Sequence, residues 1–548
     1  MKKTGIYLFL LASIIFFSCS TGNKIDLLVY NAKIYTVDSG FTIAEAMAIS
    51  EGKILETGST ISLSEKYAAK EKLDAGGKFI YPGFIDAHAH FYRYGLGLQT
   101  ENLTGTKSWK EVVERMKLFA SDKKIQAGSW VRGRGWDQND WEIKQFPGKD
   151  ELDLAFPEHP VLLTRIDGHA AMANQKALDL AGIQPGQTLT GGTIETNNGK
   201  LTGLLVDNAI GLVSSKIPAA TNEQVAQSLL QGQANCFAVG LTTVDDCGID
   251  YKEALFMDSL QKKGDLKMRV YAMLSDARPN YAFLFSNGKI KTDYLHVRGF
   301  KVYADGALGS RGACMLEPYT DHKDWHGFLL SAPQHFDSVA GIIAEKDFQM
   351  CTHAIGDSGN RIILQTYAKH LKGSNDKRWR IEHAQVVHPD DFMLFGKYNI
   401  VPSVQPTHAT SDMYWANERL GDEREKGAYA YRQLMMQNGW IPLGTDFPVE
   451  DISPLKTFCS AVFRTDANNF PQGGYQVNNA LSPQDALRGM TIWAARSNFE
   501  EAEKGSLEEG KFADFVMLDN DLLSSDAQEV LNTKVLATYI GGKKVFGK

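Results

Sequence analysis

Short apolar runs alternate with longer amphipathic segments through the middle of the chain, which is typical of parallel α/β folds. A helix is predicted at residues 224–238, directly before the second run. Eight runs have the length and composition of strands: residues 79–87, 240–246, 268–274, 300–304, 349–352, 380–382, 400–405 and 441–445. Eight parallel strands with intervening helices close a (β/α)₈ (TIM) barrel. We therefore predict such a barrel over residues 79–500.

Strand-like alternation at both ends of the chain predicts a second, smaller unit. Residues 46–58 have the pattern of a hairpin that turns at Gly52. A comparable segment at residues 535–540 follows the barrel. We predict that residues 24–78 and 501–548 together form one small β-sandwich.

The connection between the first and second predicted strands is much longer than a barrel requires. A connection of that length must carry its own secondary structure. We predict an inserted subdomain at about residues 98–220 that covers the mouth of the barrel.

The beginning of the chain resembles that of an exported lipoprotein. Lys2 and Lys3 precede an apolar run at residues 6–17, which is too short to span a bilayer and suits a signal peptide. A small residue and Cys19 end the run, similar to a bacterial lipobox. We predict that residues 1–19 are a lipoprotein signal with its lipidation cysteine, which places the protein in the bacterial cell envelope as a periplasmic or outer-membrane lipoprotein. Ordinary signal cleavage nearby is the alternative.

Composition excludes several other classes of protein. The chain is 43% hydrophobic and 22% charged, close to the averages of globular proteins. A net charge of −7 without a long basic run argues against a nucleic-acid partner. The six cysteines form no CxxC pair, so buried thiols are predicted rather than a zinc knuckle or a disulfide framework. A homo-oligomer is compatible with such a chain.

Metal-binding residue types stand at the ends of the predicted strands, where barrel enzymes carry their reactive groups. His88 and His90 follow the first strand, His353 the fifth, His383 the sixth and Asp446 the eighth. Two histidines at positions i and i+2 of a strand share a face, so both imidazoles can bind one metal ion. Each residue alone would be explained by packing, but together they indicate a metal site.

Lys301 lies inside the apolar fourth strand. A lysine in such a place must pair, lose its charge or face solvent. A neutral lysine can capture CO₂ and form a carbamate, whose oxygens are able to bridge two cations. The alternative is an ammonium group paired with Asp305 or Asp446.

Several motifs give the chain a resemblance to a known family. They are residues 82–90 (PGFIDAHAH), 135–138 (GWDQ), 167–169 (DGH), 191–194 (GGTI), 300–301 (FK), 305–311 (DGALGSR), 353–357 (HAIGD) and 405–408 (QPTH). The chain resembles the amidohydrolase superfamily, and more closely its amidohydrolase-3 (YtcJ-like) branch, which includes N-substituted formamide deformylase. The resemblance covers nearly everything after residue 24 and implies a metal-bearing barrel beside a β-sandwich, with a strand-four lysine open to carbamylation. It does not supply the substrate.

These residues lead to a hypothesis for the reaction. One or two divalent ions, with zinc favoured by the imidazole-rich set, would be held by His88, His90, His353, His383, Asp446 and carbamylated Lys301. A metal-activated water would cleave a carbon–nitrogen bond in a small amide-type substrate, such as a non-peptide N-acyl or formamide-like compound. Asp446 would accept the proton of that water and pass it to the leaving nitrogen.

Five further residues are predicted to line the substrate pocket. His169 and His408 are expected to hydrogen-bond the substrate carbonyl or its oxyanion. Trp136, Asp137 and Arg311 are expected to contact the rest of the substrate. The alternative for Trp136 is packing inside the inserted subdomain.

Two other functions stay open at this stage. A mononuclear deaminase-like hydrolase would act on a cyclic amine, but such sites generally lack the lysine found at Lys301. A lipid-anchored binding protein with an inactive barrel is the second alternative. An inactive site should have lost metal-binding residues, and the set in this chain is complete.

Overall fold

A computed structural model describes residues 23–547. The predicted signal segment and the lipidation site at Cys19 lie outside the described residues. None of the helices within residues 23–547 combines the length and the hydropathy that a membrane crossing requires.

Parallel strands form the central sheet, each paired with the next along the chain. They are Phe84–Ala89, Leu241–Ile249, Arg269–Ser275, Leu295–Tyr303, Gln349–Ala354, Arg380–His383 and Val401–Ser403, with Ile290–Lys291 as a short antiparallel addition. Five of these strands are buried at every residue, as expected for a sheet covered on both faces. The predicted α/β barrel is confirmed.

The predicted eighth strand is not a regular strand. Leu443 makes one parallel bridge with Val404 and accepts a hydrogen bond of 3.2 Å from the backbone of Ala87. The segment thus joins the last barrel strand to the first, but only over a short stretch. Pairing is limited because Pro442 has no N–H and the Leu443 N–H donates to the Gly489 carbonyl at 3.0 Å. The extended chain then ends at Asp446, which has a left-handed φ of +64°.

The predicted first strand is two strands that belong to different sheets. Phe79–Pro82 pairs with Phe515–Leu518, whereas Phe84–Ala89 is the first barrel strand. Gly83 separates them, and a Cβ atom at this position would lie 2.3 Å from the Thr242 hydroxyl oxygen. The close approach of the second barrel strand therefore requires glycine at the point where the chain changes sheets.

Two sheets built from the chain ends pack against each other. One contains Asn23–Tyr30, Ala46–Ser50, Lys53–Gly58 and Tyr67–Asp74. The other contains Lys33–Tyr35, Ile43–Ala44, Phe79–Pro82, Phe515–Leu518, Val535–Ile540 and Lys543–Gly547. Their shared apolar core includes Val29, Met47, Ile80 and Phe515. The hairpin turns at Gly52 with a φ of +76°, as its sequence predicts.

A further mixed sheet lies between the first and second barrel strands in sequence. Its strands are Glu101–Asn102, Val131–Trp136, Val161–Arg165, Ala170–Ala173, Gly192–Asn197 and Lys200–Asp207. The helices of this region are Trp109–Asp122, Asp150–Ala155, Gln175–Ala181 and Asn208–Ser214. The region has apolar clusters of its own and therefore packs as a separate unit. Its loops reach the mouth of the barrel.

The remaining helices follow the barrel strands or accompany the terminal sheets. They are Thr60–Lys66, Phe91–Gly97, Asn222–Ala238, Tyr251–Lys263, Arg278–Asn287, Pro333–Glu345, Asp357–Leu371, Phe392–Lys397, Pro406–Asp412, Ala416–Glu425, Tyr431–Asn438, Pro454–Val462, Pro483–Gly489, Ile492–Ser497 and Ala527–Asn532. Local sequence sets their ends. Thr221 and Gln224 form a capping box at the start of Asn222–Ala238, and Gly264 ends Tyr251–Lys263 in a left-handed conformation.

Candidate active site

The histidines predicted at the strand ends converge at the C-terminal end of the barrel. The ring centroid of His383 lies 4.7 Å from that of His88 and 4.5 Å from that of His353. The His88 and His90 rings are 5.6 Å apart. Four imidazoles from three strands therefore surround one small volume.

Asp446 places its carboxylate among these rings. Its Oδ1 lies 3.1 Å from His90 Nε2 and 3.6 Å from His88 Nε2, and its Oδ2 lies 3.2 Å from His408 Nε2. Burial raises the pKa of this carboxyl group, but the hydrogen bond from His408 and the adjacent imidazole of His90 outweigh burial and hold the pKa well below its usual value. Asp446 is thus an ionised carboxylate in contact with three imidazoles.

The unpartnered atoms of this cluster fit a divalent metal. His88, His383 and Asp446 each offer a ligand atom within 4.8 Å of the other two. Among the described residues, the buried atoms His90 Nδ1, His383 Nδ1 and Asp446 Oδ1 have no hydrogen-bond partner. Buried polar atoms without partners are costly unless a ligand satisfies them. Imidazole and carboxylate are ligands that zinc and similar ions take.

Burial also keeps the imidazoles in the protonation state that binds metal. It lowers the pKa of His353 and of His383 well below the usual value, and it lowers the pKa of His90 to about 4. A neutral imidazole has a free lone pair, and only that form is a metal ligand.

Glu382 orients one of the ligands. Its Oε2 lies 2.6 Å from His88 Nδ1, and both side chains are fully buried. This contact leaves His88 Nε2 directed at the centre of the cluster, which is how carboxylates commonly fix metal-binding histidines. Glu382 was not predicted from the sequence as a site residue. The available signal was a charged residue within a short barrel strand, directly before His383.

Lys301 is buried in the same cluster and has no acidic partner. Its Nζ lies 3.1 Å from His88 Nε2, and the side chain is fully shielded from solvent. Within residues 23–547, no carboxylate oxygen is within 4.0 Å of this nitrogen. Asp305 instead accepts backbone hydrogen bonds from Cys314, Ile355 and Gly356. The alternative of an ion pair with Asp305 or Asp446 is therefore absent from this structure.

A cavity of about 160 Å³ opens onto the cluster. The mixed sheet contributes Asp137, Arg165, Asp167 and His169 to its wall, and Trp415 contributes an apolar face. Arg165 pairs with Asp137 and, at 2.6 Å, with Asp167. Arg165 was not predicted, because an arginine at the end of an apolar strand gives no sign in the sequence that it faces a cavity.

The two remaining histidines predicted to act on the substrate also line this cavity. His169 Nδ1 lies 2.5 Å from Asp207 Oδ1, and the His169 ring is 5.1 Å from that of His353. His408 lies between Asp446 and Glu450, 3.1 Å from the Glu450 carboxylate. Burial opposes protonation of His408, but its hydrogen bonds to the two carboxylates raise its pKa well above the usual value.

Trp136 and Arg311, the other two residues predicted to contact the substrate, are not part of the cavity wall in this structure. Trp136 is fully buried beside Trp141, and its Nε1 donates to the Leu163 carbonyl at 2.9 Å. Successive residues of an extended chain point to opposite sides, so Asp137 reaches the cavity and Trp136 packs in the apolar core beneath. Arg311 forms an ion pair of 2.7 Å with Asp321 instead.

Comparisons with known proteins agree with this geometry. The sequence profile of the amidohydrolase family matches residues 71–546. Protein LONG AFTER FAR-RED 3 of Arabidopsis thaliana is 33% identical over 539 residues, covering 95% of this chain and 91% of that protein. N-substituted formamide deformylase of Arthrobacter pascens is 28% identical, covering 94% of this chain and 97% of that protein.

A solved structure shows the same architecture. An uncharacterised metal-dependent hydrolase from Pyrococcus horikoshii OT3 superposes with a TM-score of 0.74 at 27% identity. The superposition covers 91% of this chain and 99% of that protein. The family profile spans both the barrel and the C-terminal strands. The chain therefore belongs to the amidohydrolase family.

Proposed function

We propose that this protein is a zinc-dependent amidohydrolase that cleaves a non-peptide carbon–nitrogen bond in a small N-acyl or formamide-like substrate. The observation that carries the proposal is the convergence of buried, unpartnered imidazole and carboxylate atoms on one cavity at the barrel mouth. The similarity to N-substituted formamide deformylase supports the type of bond.

One or two zinc ions would occupy this cluster. His88, His90 and Asp446 would hold one ion, and His353 and His383 the other. A carbamate formed from Lys301 and CO₂, with loss of one proton, would supply further oxygen ligands, and the buried position of this lysine beside His88, without a carboxylate partner, supports that assignment. When bound, the ions lower the pKa of water toward neutrality and polarise the substrate carbonyl.

The chain's own residues would handle the proton and the carbonyl oxygen. Asp446 accepts the proton released by the attacking water and returns it to the leaving nitrogen, because an amine leaves poorly unless it is protonated. His408, bonded to Asp446 Oδ2, holds that carboxylate in place. His169, oriented by Asp207, is positioned to donate a hydrogen bond to the developing oxyanion.

Removal of the metal tests the function directly. We expect a chelator to abolish hydrolysis of N-formyl and N-acetyl amines, and zinc to restore it, while elemental analysis finds zinc in the active protein. His88→Asn should lose metal and activity, whereas His159→Asn, a histidine outside the cavity, should retain both. Hydrolysis that survives complete metal removal would rule out the proposal. Ammonia release from cyclic amines without amide hydrolysis would favour the deaminase-like alternative.

Lipid anchoring through Cys19, in the envelope of a bacterial cell, is part of the same proposal. We expect the full-length protein to sediment with membranes and to enter the detergent phase, and Cys19→Ser to move it to the soluble fraction, because the mature chain would lose its acyl groups. A replacement at a cysteine distant from the signal, Cys459→Ser, is the control. Native protein that is water-soluble, with an N-terminus several residues from Cys19, would contradict the anchor. Light scattering on the soluble variant measures whether the chain forms a homo-oligomer.

A further inference from the structure

A second cavity, of about 540 Å³, adjoins the first at the cluster of histidines. Five residues line both cavities: His90, Asp167, His169, Tyr303 and Val449. An amide has two halves joined at the scissile bond. Because the cluster stands where the cavities meet, each cavity is placed to receive one half of a substrate.

The acidic side chains of the second cavity already have partners. They are Asp167, which pairs with Arg165 at 2.6 Å, Asp207, which pairs with His169 at 2.5 Å, and Asp276, which contacts His335 at 2.6 Å and the Tyr281 hydroxyl at 2.9 Å. Each of these carboxylates therefore already has a hydrogen-bond or ion-pair partner within the chain.

Two arginines in the same wall have no acidic partner. Over the described part of the chain, no carboxylate oxygen lies within 4.0 Å of Arg93 or Arg134. Arg134 donates to the Ile166 carbonyl at 2.8 Å, and Arg93 donates to the Gly248 carbonyl at 3.2 Å and also contacts the Tyr303 hydroxyl. The Arg134 Nε atom is buried without a hydrogen-bond partner. A guanidinium group has five N–H donors, so most of the donors on both residues remain available to a ligand.

We propose that Arg93 and Arg134 bind an anionic group of the substrate, a carboxylate or a phosphate, in this second cavity. Guanidinium groups match the geometry of these anions and bind them with two parallel hydrogen bonds. The inference rests on the proposed amide hydrolysis and narrows its substrate class to amides that carry a negative charge on one half. The first cavity receives the other half, against Trp415 and Leu308.

Matched substrate pairs test this specificity. A comparison of N-acetylglycine with N-propylacetamide tests a carboxylate on the amine half. A comparison of N-methylsuccinamate with N-methylpentanamide tests a carboxylate on the acyl half. N-acetylaminomethylphosphonate tests a phosphate-like group. We expect the wild-type enzyme to prefer the anionic member of at least one pair. Arg134→Gln and Arg93→Gln should each lower the anionic-to-neutral ratio of kcat/KM by roughly 10- to 100-fold.

Arg132→Gln is the matched control, because Arg132 lies on the same strand and lines neither cavity. Arg134→Lys keeps the charge and should restore part of the ratio, which separates anion binding from loss of folding. An unchanged ratio in both glutamine variants, with neutral amides still hydrolysed, overturns this inference and leaves the proposed function standing.

Failure of the wild-type enzyme to hydrolyse any amide would instead count against the proposed function. Thermal stabilisation by glutarate and by inorganic phosphate then tests the anion site alone. Stabilisation that is weaker in the Arg93 and Arg134 variants than in the wild type supports the site. Equal stabilisation, or none in any protein, overturns it.

Discussion

Asp446→Asn is expected to lower kcat for amide hydrolysis by about 10²–10⁴-fold, the usual contribution of general acid–base catalysis. This corresponds to about 3–5 kcal/mol in the activation free energy. Asparagine keeps the shape and one oxygen of the side chain but cannot carry a proton between water and the leaving nitrogen. KM should change less, because most of the cavity wall that contacts the substrate is formed by residues other than Asp446.

Substrates with different leaving groups separate the proton transfer from metal binding. Activated esters release a group that needs no proton, so they should lose less activity than amides in the same variant. The metal content of the variant, measured in parallel, shows whether its histidine cluster still binds metal. Equal losses on amides and esters with full metal content would show that Asp446 is not the proton carrier. His169 and His408, which line the same cavity, would then be tested in its place.

The barrel and the residues at its strand ends could be predicted because both depend on local pattern. Fully buried parallel strands appear as uniform apolar runs, and a polar residue directly after such a run is conspicuous. His353, His383 and Asp446 each follow a buried segment in this way. The parallel arrangement then places these chain ends at one end of the barrel, so their proximity follows from topology.

The strand boundaries depended on contacts that the sequence does not display. Gly83 divides one apolar run between two sheets because Thr242 lies against it. The last barrel segment is bent at Asp446, where the chain turns into the site. The pattern of hydrophobic residues does not show which strand lies alongside a segment. It also does not show where the active site requires the chain to bend.

The cavity wall supplied by the mixed sheet was the least predictable part of the site. Asp137 was predicted to face the cavity and does, but its neighbour Trp136 does not. Arg165 pairs with Asp137, which lies 28 residues away in the chain, and Asp207 contacts His169, which lies 38 residues away. Such pairs arise because neighbouring strands of the mixed sheet bring these residues together, and local spacing in the sequence does not show which strands pair.

Lys301→Ala is expected to remove most of the bound metal and to lower amide hydrolysis by more than roughly 100-fold, since even residues that only support a metal ligand contribute about 10–100-fold. The carbamate would supply oxygen ligands that alanine cannot replace. A small carboxylic acid such as propionate, added to bicarbonate-free buffer, should partly restore metal and activity because it fits the vacated space and offers the same pair of oxygens. Isotopically labelled bicarbonate should label the wild-type protein at this lysine.

Lys504 provides the matched control, because it is equally buried but pairs with Glu500 at 3.0 Å. Lys504 lies outside the histidine cluster, so no bound metal ion would stabilise a carbamate on it. Lys504→Ala should therefore show no rescue by propionate, and Lys504 should take up no label even though burial shields it from solvent as it does Lys301. The two lysines differ in position: Lys301 Nζ lies 3.1 Å from His88 Nε2 in the cluster that would hold the metal, whereas Lys504 lies outside that cluster. If Lys301 is an unmodified ammonium in fully metal-loaded, active enzyme, the bridged pair of ions is wrong, and a single ion held by the histidines and Asp446 replaces it.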